Sequence, residues 1–171
     1  MSKILIAYFS LKGETYVNGR IEMRSVGNTE VIAGKIEELT HGNLFHIETV
    51  ESYPAGYYAT TEKAQEEQRR KARPRLTAEV GNMEQYDTVF LGYPNWWGTM
   101  PMAVFTFLES YDFSGKKIIP FCTHEGSGFG HSVEDLKKAC PRADVRQGVA
   151  IRGGSAATAD KEVARIVDMM K

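Results

Sequence analysis

"YFSLKGETYVNGRIEMRSVGNTEVIAG", Tyr8 to Gly34, begins as the end of a strand and finishes as the start of a helix, with sixteen residues between Ser10 and Gly27 that belong to neither. Upstream, Lys3 to Phe9 is apolar almost throughout (Ile4, Leu5, Ile6, Ala7), the pattern of a parallel strand covered on both faces. Downstream, Val31, Ile32, Ile36 and Leu39 recur at helical spacing over Thr29 to Leu39, and Gly42 is a stop signal. The same unit returns along the chain. Strands are expected at Leu44–Val50, Thr88–Gly92, Lys117–Thr123 and Asp144–Ala150, and helices at Thr60–Ala72, Met102–Glu109, Val133–Ala139 and Thr158–Met170. Five alternations with no repeat and no low-complexity linker predict an α/β fold, a five-stranded parallel sheet with helices on both faces. Right-handed crossovers and a single reversal give the strand order 2-1-3-4-5. Pro120 objects, because it removes a donor from a strand this order makes interior; a bulge or one lost bond would absorb it.

At 171 residues and 42% hydrophobic, the chain is expected to be one domain over residues 1–171 around one core. Its 21 basic and 22 acidic side chains leave a formal charge of -1, which offers neither nucleic acid nor an anionic membrane an electrostatic attraction. The densest charge, Glu62 to Arg75, mixes both signs and reads as a solvated helix face. No apolar run reaches a membrane-spanning length, and Ile4 to Phe9 is too short for a signal-peptide core. Two cysteines, Cys122 and Cys140, make a disulfide framework improbable and a reducing cytoplasm the expected setting. His41, His46, His124 and His131 fall at no metal-ligand spacing, so no metal is expected.

In sheets of this kind ligands bind beyond the carboxyl ends of the strands, at the switch point. Three loops meet there. The first holds Ser10 and Gly27-Asn28-Thr29 at a helix N-terminus, which suits a phosphate through hydroxyls, backbone donors and the helix dipole. An ordinary capped helix start, with Asn28 or Thr29 as cap, reads the same residues equally well. The second, Pro94-Asn95-Trp96-Trp97-Gly98, sets two indoles in a loop, where at least one is expected to wall a planar ligand while core packing takes the other. The third, Thr123-His124-Glu125-Gly126-Ser127-Gly128, has glycines that let backbone N–H groups approach a ligand edge. Together they outline a ligand with a phosphate at one end and a planar aromatic at the other, its edge read by main chain between the third and fourth strands.

Ser10 with GNT (27 to 29), YDTVFLGYPNWWGTMPM (86 to 102) and FLESYDFSGKKIIPFCTHEGSG (107 to 128) resemble the flavodoxin-like family, in the branch with a Trp-Trp-Gly second loop. The similarity runs over roughly residues 3 to 150. It implies a flavodoxin-like three-layer sandwich, noncovalent FMN as cofactor, and an oxidoreductase or electron-transfer flavoprotein. Carried over by position, the resemblance implies that Ser10, Gly27, Asn28 and Thr29 hold the phosphate and that Pro94 and Asn95 meet the ribityl chain. It further implies that Trp96, Trp97 and Gly98 border the ring, with Thr123, Gly126, Ser127 and Gly128 along its pyrimidine edge.

The family usually keeps only two residues between its Ser or Thr and GNT. Here Ser10 to Thr15 is itself an S-x-x-G-x-T frame, but Asn18-Gly19 follows at once and makes tight hairpin turns, whereas GNT runs straight into the helix. The inserted segment, about residues 11–26, therefore reads as a β-hairpin of Thr15-Tyr16-Val17, a turn at Asn18-Gly19, and Arg20 to Met23. It is expected at the rim of the flavin site, either with Tyr16 or Met23 limiting access or as a flap or homodimer contact. Glu125 near the pyrimidine edge would lower the flavin potential, and His124 is a candidate catalytic residue or a plain loop histidine. Two redox readings follow: a small NAD(P)H-dependent quinone-type reductase, or an electron carrier docking to a redox partner protein, for which a charge of -1 is weakly acidic. No G-x-G-x-x-G nicotinamide fingerprint is present. Minor alternatives are a Cys122–His124 hydrolase, against which Cys122 reads as a buried thiol, and a cofactor-free binding module.

Overall fold

The computed structural model describes residues 3–171. Its organising strand is Ile4–Tyr8 (β1), which has a parallel neighbour on each side: Asn43–His46 (β4), with Ile6 opposite Leu44, and Thr88–Pro94 (β5), with Ile6 opposite Phe90. Lys117–His124 (β6) continues the sheet beyond β5, with Phe90 opposite Ile119. The order β4-β1-β5-β6 followed by a last strand is the expected 2-1-3-4-5 arrangement.

The last strand departs from the expected continuous Asp144–Ala150. It is broken into Asp144–Val145 (β7) and Val149–Arg152 (β8), both parallel to β6. Ile118 faces Val145 but Phe121 faces Val149, so the outer strand carries one residue more than the inner one over the same span. Pro120 is the reason. Having no N–H to offer, it needs no acceptor at this point, and the outer chain bulges past it. Gly148 makes the close crossing possible with φ 73° and no Cβ, since a side chain there would strike the Pro120 carbonyl.

Successive residues of the central strands point to opposite faces, which divides the core in two. Leu5, Ala7, Val89 and Leu91 pack with Val104, Phe107 and Leu108 of Met102–Glu109 (α3) and Leu136 of Ser132–Ala139 (α4). Ile6, Tyr8, Phe90, Ile119 and Phe121 pack with Ile32 and Ile36 of Asn28–Thr40 (α1) and Val163 and Ile166 of Asp160–Asp168 (α5). A 3-10 turn, Gly153–Thr158, precedes α5, where the sequence predicted a helix from Thr158 onward. Tyr57–Arg70 (α2) starts three residues ahead of its predicted start, and β4 ends four residues before the predicted Val50.

Between β1 and α1 stand Gly13–Val17 (β2) and Arg20–Arg24 (β3), paired antiparallel with each other and with nothing else. Asn18 and Gly19 turn the chain with φ 51° and 83°, both positive as a two-residue type I′ connection requires. Among the described residues no helix is long and apolar enough to cross a membrane, and no group of His, Cys, Asp or Glu could hold a metal ion.

Candidate functional site at the strand ends

The hairpin returns the chain to the point it left. Gly27 sits so close to Ser10 that a Cβ on it would strike Ser10 Oγ and come within 2.5 Å of the Leu11 carbonyl. Glycine is therefore required at this crossing, and Ser10 stands at the N-terminus of α1 despite the sixteen residues between. Ser10 Oγ accepts the N–H of Glu30 at 3.2 Å, while Gly27 occupies the cap position and supplies no side chain. Neither Asn28 nor Thr29 is the cap. The N–H groups of Asn28 and Thr29 have no acceptor in their own helix, the arrangement that receives an anion. Thr29 and Thr123, expected at opposite ends of a ligand, meet each other: their hydroxyls lie 2.8 Å apart and both residues are buried. One hydroxyl of such a pair keeps its proton for a further acceptor. Arg24, at the foot of the hairpin opposite Gly13, is paired with Glu22 at 3.1 Å and has a buried Nε with no partner.

Asn95 joins the second loop to the third. Its Nδ2 donates to the Gly128 carbonyl at 2.8 Å, its Oδ1 accepts the Gly98 N–H at 2.9 Å, and its own N–H reaches the Thr123 carbonyl at 2.8 Å. The His131 N–H adds a bond to the Gly98 carbonyl at 2.8 Å. The two indoles separate as adjacent residues must. Trp96 turns inward, edge-on to Phe9 and Tyr53 at 5.0 and 5.3 Å. Trp97 turns outward with φ 53° and is 50% exposed, its Nε1 donating to the Thr61 carbonyl of α2 and its carbonyl accepting from Gln68. Pro94, Gly126, Ser127 and Gly128 lie along the same rim, with Gly126 and Gly128 at φ 137° and 62°.

The titratable groups are arranged differently from expectation. His124 Nδ1 accepts the Gly126 N–H at 2.8 Å, and partial burial together with the Arg152 guanidinium holds its pKa below the usual histidine range. It is a neutral ring that folds the third loop. Glu125 turns to the hairpin, accepting the Asn18 N–H at 3.1 Å, instead of lining a ligand edge. Cys122 is fully buried, and desolvation raises its pKa far out of the thiolate range, so a cysteine nucleophile has no support here. Sequence reading missed several participants. Glu14 accepts the N–H of Tyr57, the first residue of α2, at 2.8 Å; Asn18 lies over Gly154; Asp135 accepts from Thr99 and pairs with His131 Nδ1 at 2.8 Å. Tyr57-Tyr58 at the helix start carried the same signal as the tryptophan pair, adjacent rings beside Pro54 and Gly56.

A hollow of about 320 Å³ lined by Ile4, Asp87, Thr88, Lys117 and Met170 lies at the amino ends of the strands, away from this chemistry.

A family model described as flavodoxin matches residues 3–169. A presumed flavoprotein from Bacteroides eggerthii superposes with a TM-score of 0.78 at 29% identity, over 99% of this chain and 98% of its own. A flavoprotein from Lactobacillus acidophilus, solved in complex with FMN, superposes with a TM-score of 0.67 at 22% identity, over 92% of this chain and 98% of its own. Oxidised flavodoxin 2 from Bacillus cereus gives 0.53 at 20% identity over 98% and 94%, a likeness of fold. No curated protein sequence matches the chain at a significant level.

Proposed function

The chain belongs to the flavodoxin family, and from that premise we propose that it holds FMN noncovalently where the three loops meet and works as a small NAD(P)H-dependent reductase of quinone-type acceptors. Bound FMN would supply the redox chemistry; the protein binds, orients and shields. The residues present suit it. The first turn of α1 offers the phosphate the N–H groups of Asn28 and Thr29, with Ser10 alongside. Pro94 and Asn95 would meet the chain between phosphate and ring, Trp97 and Gly98 would border the ring, and the backbone of Gly126, Ser127 and Gly128 would serve its polar edge.

The observation that carries the reading is the Asn95 junction. It holds the second and third loops at a fixed spacing while the cap position of α1, Gly27, supplies no side chain to the N–H groups of Asn28 and Thr29. A cofactor-free module has no need of that combination. Overall, NAD(P)H, a proton and a quinone would give NAD(P)+ and the hydroquinone. A charge of -1 supports a small-molecule reductase over a carrier that recognises partners electrostatically. The test is spectroscopic. The purified protein, loaded with FMN, is mixed with NADH or NADPH and no other reductase; loss of the yellow band is expected. A yellow protein that neither nucleotide bleaches is the carrier instead.

A further inference from the structure

Exposed apolar surface gathers at one place on this molecule. Of the nine large apolar side chains left exposed among the described residues, six (Tyr16, Ile21, Met23, Val26, Tyr58 and Trp97) lie on the inserted segment, the first turn of α2 and the second loop. Such clustering marks a binding surface. On the hairpin, Tyr16 is opposite Ile21 and Glu14 opposite Met23, so these four share one face. Tyr57 extends that face onto α2, its ring 5.7 Å from Tyr16 and 5.3 Å from Tyr58.

The platform is fixed at both ends. Glu14 caps α2 through the Tyr57 N–H, and Asn18 is held by Glu125 of the third loop. Its inner side is anchored by Val17, which is 1% exposed. Burial first, then the nearby Tyr16, Tyr58 and Glu125, push the Tyr57 phenol up, so it stays protonated and can donate a hydrogen bond.

We propose that this platform is the acceptor subsite of the reductase: Tyr16 and Tyr58 offer ring faces to a flat, uncharged quinone, Ile21 and Met23 cover its hydrocarbon edge, and the Tyr57 hydroxyl donates to a carbonyl oxygen. The proposal rests on the FMN reading. Its chemistry excludes the other occupants. The hairpin face of Glu14, Tyr16, Ile21 and Met23 carries no cation for the pyrophosphate of a pyridine dinucleotide, and both carboxylates that reach it are already taken by backbone N–H groups.

The experiment uses FMN-loaded protein in the oxidised state and menadione as probe, with binding read by equilibrium dialysis and menadione KM read separately. Tyr16→Ala and Tyr58→Ala alter exposed side chains, so the fold should survive; each is expected to weaken menadione binding about fivefold, and the pair by more than about tenfold, with FMN affinity unmoved. Unchanged menadione affinity in the double variant overturns the proposal. So does a loss of FMN affinity with menadione unaffected, which would assign the rings to the cofactor. A yellow protein that binds no menadione sinks this inference and leaves the FMN reading standing, whereas a protein that never takes up FMN removes both.

Discussion

In β1, β5 and β6 almost every residue is buried on both faces, while across β2 and β3 the one buried residue is Val17. The strands of the sheet are specified by what they remove from water. The hairpin is specified by a turn dipeptide and by bonds made at its ends, at Gly27, Tyr57 and Glu125. The first kind of region tolerates little and carries stability; the second is cheap to alter and sits where ligands arrive. The sheet and the hairpin are thus separable by experiment, and substitutions in each should report in different observables.

The largest effect is expected in the sheet. Phe121 fills the space opposite Gly92 and is fully buried, so Phe121→Ala should cost about 3–5 kcal/mol in urea unfolding. A cost under about 1 kcal/mol would show that the sheet is not where stability resides. Next comes Asn95→Ala, which leaves the Gly98 N–H and the Gly128 carbonyl without their partner; about 1–3 kcal/mol of stability and about a tenfold loss of FMN affinity should go together. If affinity holds, the junction of loops is structural only. Deleting Leu11 to Val26 removes far more chain than either substitution and yet should cost only about 2–4 kcal/mol, chiefly the burial of Val17 together with the α2 cap and the Asn18 bond, because closing a loop of this length differs little from closing a short one. Collapse of the fold on deletion would erase the contrast between the two regions. Glu14→Gln is milder still. It should speed amide exchange at the start of α2 by a few-fold, with the global midpoint unchanged.

The smallest effect is a pH dependence of the third loop. The His124 pKa is lower folded than unfolded, so its contribution is complete above the unfolded value of about 6.5 and fades as pH falls through the folded one. Acid should therefore loosen Gly126, seen as faster amide exchange there, and His124→Gln should flatten the dependence.

Much of this was legible in the sequence, for reasons that mark its limits. The continuous apolar runs at Ile4 to Ala7, Thr88 to Gly92 and Lys117 to Thr123 could only be doubly covered strands, and the order followed from handedness. Asn18-Gly19 announced its own turn. What stayed hidden depends on residues far apart in the chain. The cap position of α2, Gly56, supplies no side chain, and the carboxylate that accepts the Tyr57 N–H is Glu14, 43 positions away. A bulge is one way for the sequence to absorb Pro120, but that it falls on the neighbouring strand, with Gly148 passing over the ring, depends on register. Glu125 reads as a ligand-edge carboxylate until the hairpin tip is seen to claim it.

The central claim is that peptide donors at the N-terminus of α1 receive the phosphate of a flavin nucleotide. Titrating flavin-free protein with FMN and with riboflavin, followed by quenching of flavin fluorescence, tests it most directly. FMN should bind at least about tenfold more tightly than riboflavin, the difference being the phosphate alone. Equal affinity for the two, or no quenching by either, would contradict it.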